Sequence, residues 1–186
     1  MNNVIQSLTY FRIFSGPVLF FLITVENLYG FSIILFLLAG ASDYFDGYFA
    51  RKFQMESVQG TVLDPIADKI LTLFLILSLA LELQSLFIAF SGGLILAREF
   101  WVAGLREFNS LQNNAYASKV SMAGKIKTSI QFFTFTCFLT GLYLESAFLI
   151  FISNFLLTFA LLLTLQSGLE YTMQTFKTPK ESNKND

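Results

Sequence analysis

Long apolar runs separated by short polar breaks dominate the chain. Six stretches approach the ~20 residues that an α-helix rising ~1.5 Å per residue needs to cross a bilayer. They are Leu8–Val25, Phe31–Ala50, Thr61–Leu81, Leu86–Phe108, Gly124–Leu144 and Ala147–Gly168. Three connections between them are very short: Glu26–Gly30, Glu82–Ser85 and Glu145–Ser146. Two are longer: Arg51–Gly60 and Asn109–Ala123. The pattern predicts an all-α integral membrane protein with six transmembrane helices. It also predicts one membrane-embedded domain over residues 1–175 and a polar tail over 176–186, with no internal repeat. The first apolar run has no small-residue cleavage site behind it and reads as an uncleaved helix.

Composition agrees with the pattern. The 186 residues are 54% hydrophobic and only 13% charged, against ~25% charged in a typical soluble domain. With a net charge of −1 and no block of Lys or Arg, nucleic acid is not an expected partner. The lone Cys137 lies in an apolar run and reads as a small buried hydrophobe.

Charge also orients the chain. The three short connections contain no Lys or Arg, and each carries a Glu. Arg51, Lys52, Lys119, Lys125, Lys127, Lys177, Lys180 and Lys184 fall on the other side. The positive-inside rule then places both termini and both longer loops in the cytoplasm, in a multi-pass protein of the cell (inner) membrane.

The acids on that side stand out. Asp43 and Asp46 are i,i+3 near the end of the second span, and Asp64 and Asp68 are i,i+4 near the start of the third. Each spacing puts both side chains on one helical face, and a short loop makes the two helices antiparallel neighbours. Two carboxylates ~4 Å apart repel by ~4 kcal/mol at an effective dielectric near 20, so four together call for cations. Clustered hard oxygens suit Mg²⁺, Mn²⁺ or Ca²⁺, and carboxylates shared between two helices suit a two-metal phosphoryl-transfer site. The competing reading is a charge network with Arg51, Lys52, Lys69 and Glu56.

The chain has no histidine. Any metal must therefore be held by oxygen, and a carboxylate is the expected base. Gly47, Ala50 and Gly60 leave room for a ligand close to backbone, and Arg51 can fork onto a phosphate. Together these point to a nucleotide diphosphate, with the active site facing the cytoplasm.

The string Asp43-x-x-Asp46-Gly47-x-x-Ala50-Arg51, eight residues, then Gly60-x-x-x-Asp64-x-x-x-Asp68 resembles the complete signature of the CDP-alcohol phosphatidyltransferases. The six-helix layout resembles that family too. The resemblance implies that Asp43, Asp46 and Asp64 hold divalent metal, Mg²⁺ or Mn²⁺ and two ions per site. It implies that Asp68 is both ligand and general base, and that Gly47, Ala50, Arg51 and Gly60 line a CDP pocket. Three further segments, Leu63–Ile70, Ala97–Glu107 and Gly124–Thr128, are similar to the branch that uses glycerol 3-phosphate, as is Leu8-Thr-Tyr-Phe-Arg12. The usual Asn-Pro before that opening is Ile5-Gln6 here.

The implied reaction moves a phosphatidyl group from CDP-diacylglycerol to glycerol 3-phosphate, giving phosphatidylglycerophosphate and CMP. Family members are often homodimers, so a homodimer among membrane lipids is expected. A dianionic acceptor needs a cationic cradle. Arg106 and Lys125, then Lys127, are the candidates, and Arg98 beside Glu99 lies deeper as a second-layer or acceptor-pocket residue. Anionic headgroup contact is the plainer reading of Arg106, Lys125 and Lys127, and an ion pair that of Arg98 with Glu99. Arg12 and Thr9 stand at the site edge, where Arg12 can simply snorkel. Another acceptor, such as phosphatidylglycerol or inositol phosphate, is the alternative within the family. A cation transporter is the alternative outside it.

Overall fold

The computed structural model describes residues 2–52, 58–112 and 122–177, with side chains over 7–43, 45, 63–112 and 127–177. Six helices make up the described residues: α1 Asn2–Thr24, α2 Tyr29–Lys52, α3 Val58–Glu82, α4 Leu86–Leu111, α5 Met122–Tyr143 and α6 Ala147–Phe176. Each predicted apolar stretch falls on one of them, to within a residue. Ser7–Thr24, Leu86–Leu111 and Ala147–Phe176 are long and apolar enough to cross a membrane, and Tyr29–Asp43 is a shorter apolar stretch.

The short connections are built alike. Asn27, Gln84 and Glu145 each adopt a left-handed backbone, with φ of 52°, 47° and 50°. At each turn a following N–H returns to the preceding helix: Leu28 to Leu22, Ser85 to Ala80, Ser146 to Gly141. This closes the last carbonyls of the helix. Ser85 and Ser146 then cap α4 and α6 by accepting from the N–H of Ile88 and Leu149. Tyr29 donates to Glu82 at 2.5 Å and lies within electrostatic range of Glu145. The three turns therefore share one end of the bundle, and the aspartates lie toward the other.

The core runs through the bundle along Leu19, Ile23, Leu75, Leu79, Ile95, Phe138, Leu139 and Leu157. Two glycines let helices close up. A Cβ on Gly92 would meet Ile76 at 2.3 Å, and one on Gly40 would meet Phe132 at 2.3 Å. Phe132 lies flat against α2, stacked on Phe36 with ring centroids 4.7 Å apart. Buried Ser15, Ser32, Ser78, Thr134 and Ser153 return their hydroxyls to carbonyls one turn back, which satisfies them without a partner helix. Outward-facing Phe148, Phe151 and Phe155 present an apolar face along α6.

One boundary differs from expectation. Helix α6 continues past Gly168 to Phe176, because its last turns carry contacts to α4. Trp101 donates to Thr172, and Asn109 to Thr175 and Tyr171. The polar tail beyond 177 lies outside the described residues.

Candidate active site

Helix α1 supplies the centre of the site. Thr9 and Arg12 are one turn apart on its buried face, and further along that face Gly16 lets α1 approach α3: a Cβ there would sit 3.3 Å from the Ile70 carbonyl. Arg12 is fully buried. Its guanidinium donates to Asp43 of α2, to Asp68 of α3 at 2.7 Å and to Asp64 at 3.4 Å. Thr9 donates to Asp64 at 2.8 Å. Three predicted acids thus converge from two helices on one arginine of a third.

Arg12 is the residue that sequence reasoning underrated. A lone arginine near a helix end reads as one that snorkels to solvent, whereas here it is enclosed and bonded to three carboxylates. A charge network therefore exists around the acids, and among the described residues its cation is Arg12. Lys69 instead stacks over the Phe100 ring at 4.9 Å. The side chains of Asp46, Arg51 and Lys52, and those of Glu56 and Lys125, lie outside the described residues, as do Gly47, Ala50 and Gly60 as pocket walls.

The cluster remains open to ligands. Asp43 and Asp68 side chains are each 54% exposed, while Arg12 beneath them is closed off. Among the described residues the acids do not close into a three-acid metal cage of their own; they close on Arg12. The donor set nonetheless fits a hard divalent ion in chemistry and charge. It consists of oxygens only, it is half open, and its negative charge exceeds what one guanidinium supplies. Pro65, inside α3, removes one helical N–H next to Asp64.

From this polar end a groove of about 770 Å³ runs between α2, α3 and α5. Arg12, Asp43 and Asp68 line it together with Thr128, Ser129 and Gln131. Apart from Thr72, its remaining wall is apolar and includes Phe36, Leu37, Leu71, Phe132, Phe133 and Phe135. A cavity that is charged at one end and phenylalanine-lined along its length suits an amphiphile with a polar head.

A second polar cluster joins α4, α5 and α6. Lys127, nearly fully buried, donates to Glu99. Arg98 donates to Glu99 at 3.4 Å and to Ser167 at 2.9 Å. Its side chain crosses Gly168, where a Cβ would meet the Arg98 Cγ at 2.9 Å. Arg106 packs over the Tyr171 ring at 5.9 Å and lies within electrostatic range of both Arg98 and Lys127. Burial of Lys127 argues against the alternative reading of it as a headgroup contact. Among the described residues, Lys127 and Arg98 both donate to Glu99, Arg106 lies exposed nearby, and the Arg98 Nε is buried with no hydrogen-bond partner. Two enclosed cations sharing one carboxylate, with a spare buried donor, leave positive charge that an anion could balance. Lys127 shares a helical face with Gln131, which lines the groove, so α5 links the two clusters.

Comparison with known proteins places the whole chain. Residues 2–166 match the CDP-alcohol phosphatidyltransferase family. The chain is 35% identical over 184 residues to a CDP-diacylglycerol–glycerol-3-phosphate 3-phosphatidyltransferase of Rickettsia typhi, covering 92% of this chain and 96% of that one. Proteins of the same name from Wigglesworthia glossinidia brevipalpis and Haemophilus influenzae are 33% and 30% identical. These alignments cover 69% and 91% of this chain, and 72% and 91% of theirs.

Proposed function

The chain belongs to the CDP-alcohol phosphatidyltransferase family, and on that premise we propose that it transfers the phosphatidyl group of CDP-diacylglycerol to glycerol 3-phosphate. The products are phosphatidylglycerophosphate and CMP. The observation that carries the reading is the convergence of Asp43, Asp64 and Asp68 at the polar end of an apolar groove. The diphosphate of the donor lies at the acids, and its acyl portion lies along Phe36, Phe132 and Phe135.

Asp68 is the base. It takes the proton of the acceptor 1-hydroxyl as that oxygen bonds to the β-phosphorus of CDP-diacylglycerol. The bond from the β-phosphorus to the bridging oxygen breaks, and CMP leaves with the electron pair. Asp43, Asp46, Asp64 and Asp68 would hold the divalent ions, two of Mg²⁺ or Mn²⁺. Bound there, the ions would supply positive charge to the diphosphate and leaving group. Gly47, Ala50, Arg51 and Gly60 form the CDP pocket.

Arg98, Lys127 and Arg106, with Lys125, hold the phosphate of the acceptor. The excess of Lys127 and Arg98 over Glu99, with Arg106 exposed nearby, supports this assignment, because a dianion would balance it and a neutral alcohol would not. The protein spans the inner membrane six times as a homodimer, with both termini and the site cytoplasmic.

The deciding experiment is an acceptor panel with purified protein, CDP-diacylglycerol and Mg²⁺ or Mn²⁺. CMP release is expected with glycerol 3-phosphate and is expected to stop on chelation. Equal release with glycerol, inositol or phosphatidylglycerol would overturn the acceptor assignment. The acceptor pocket has its own variant. Gly168→Val pushes Arg98 off the α6 backbone and should raise the KM for glycerol 3-phosphate about three- to tenfold, ~1 kcal/mol of binding. The KM for CDP-diacylglycerol should hold. An unchanged acceptor KM would remove Arg98 from the pocket.

A further inference from the structure

Arg12 is fully buried, and its donors lie on the carboxylate oxygens that a divalent ion would take. Without ions, Asp43, Asp64 and Asp68 would repel one another, by ~4 kcal/mol for a pair 4 Å apart at an effective dielectric near 20. The guanidinium meets that repulsion with a permanent charge and a planar fork able to serve several oxygens at once. We propose that Arg12 is the resident counter-cation of the cluster. It competes with divalent ions for Asp43, Asp64 and Asp68, and it passes to a phosphate oxygen of the donor when the ions take its place. The second half rests on the phosphatidyltransferase reading, which supplies the phosphate.

The scaffold fits such an exchange. Backbone movement is restrained, because Thr9 ties α1 to Asp64 and Gly16 seats it against α3. The long Arg12 side chain, with several rotatable bonds of its own, borders the groove beside Asp43 and Asp68. A guanidinium displaced from the carboxylates therefore still faces whatever the groove holds. Its role is that of a positioning residue before the ions bind and of a phosphate ligand afterwards.

The test is Mn²⁺ binding by the full-length protein in lipid nanodiscs without substrate, read from the spin-resonance signal of free Mn²⁺. Arg12→Gln removes the competitor and should tighten Mn²⁺ binding about tenfold, the ratio that ~1.4 kcal/mol represents. Its melting temperature in EDTA should fall below wild type, and its gain on adding Mn²⁺ should be larger. Arg12→Lys keeps the charge without the fork and should shift both readouts the same way by less; it serves where the Gln variant does not fold. With Mn²⁺ saturating, CDP should bind Arg12→Gln at least about tenfold more weakly than wild type.

Mn²⁺ affinity equal to or below wild type in both variants overturns the competition. Tighter Mn²⁺ with unchanged CDP binding overturns the transfer to phosphate. CMP release by the same wild-type preparation is measured alongside. Its absence defeats the phosphatidyltransferase reading, while the ion competition is decided by its own data.

Discussion

Asp68→Asn should lower kcat for CMP release by about a thousandfold at saturating Mn²⁺ and glycerol 3-phosphate, within the ~10²–10⁴ that a positioned base contributes. The geometry makes this substitution informative. Asn keeps the size of the side chain, and before ions bind its carbonyl oxygen can still accept the bond that Arg12 donates at 2.7 Å. What it cannot do is take the proton of the attacking hydroxyl. The fold should persist, since the helices around it are joined by extensive apolar packing. Asp43→Asn removes an ion ligand and leaves the base, so its defect should recede as Mn²⁺ is raised. An Asp68→Asn defect that recedes in the same way would make Asp68 a metal ligand only. Retention of more than about a tenth of wild-type kcat would remove it as the base.

Lys127→Met should raise the KM for glycerol 3-phosphate about a hundredfold while leaving the KM for CDP-diacylglycerol within about twofold. Truncating one member of a buried charged pair typically costs ~2–5 kcal/mol, and a hundredfold is ~2.7 kcal/mol. Met preserves the volume of this nearly fully buried side chain, and Glu99 keeps Arg98 as a partner at 3.4 Å. The cationic surplus shrinks by one charge, so the loss falls on the bound dianion. Steady-state kinetics with each substrate varied, together with a melting curve, checks this. Equal losses for both substrates, or a loss confined to stability, would make Lys127 a packing residue.

The convergence of Asp43, Asp64 and Asp68, three of the four aspartates singled out, was legible because their spacings are local. The i,i+3 and i,i+4 rules act within one helix, and the repulsion of clustered acids follows from charge alone. Burial of the cations was not legible. Arg12 lies 31 and 56 residues from Asp43 and Asp68, and a lone arginine carries no local sign of which helix it will meet. For Lys127 the sequence left a phosphate cradle and a headgroup contact both open for the same reason, since its partner Glu99 comes from another helix. The extra turns of α6 depend likewise on Asn109 and Trp101 reaching from another helix.

By itself, the sequence determined the helices, the side of the membrane expected for each loop, and the chemistry available in each segment. These follow from apolar run length, from the distribution of Lys and Arg and from side-chain type, all properties of neighbours along the chain. Tertiary structure decided which charges meet. It put one arginine among three carboxylates, laid Arg98 across Gly168 and aligned the Phe-lined groove with the acids. Those outcomes depend on helix–helix approach, which is governed by contacts at glycines such as Gly16, Gly40 and Gly168 between residues far apart in sequence.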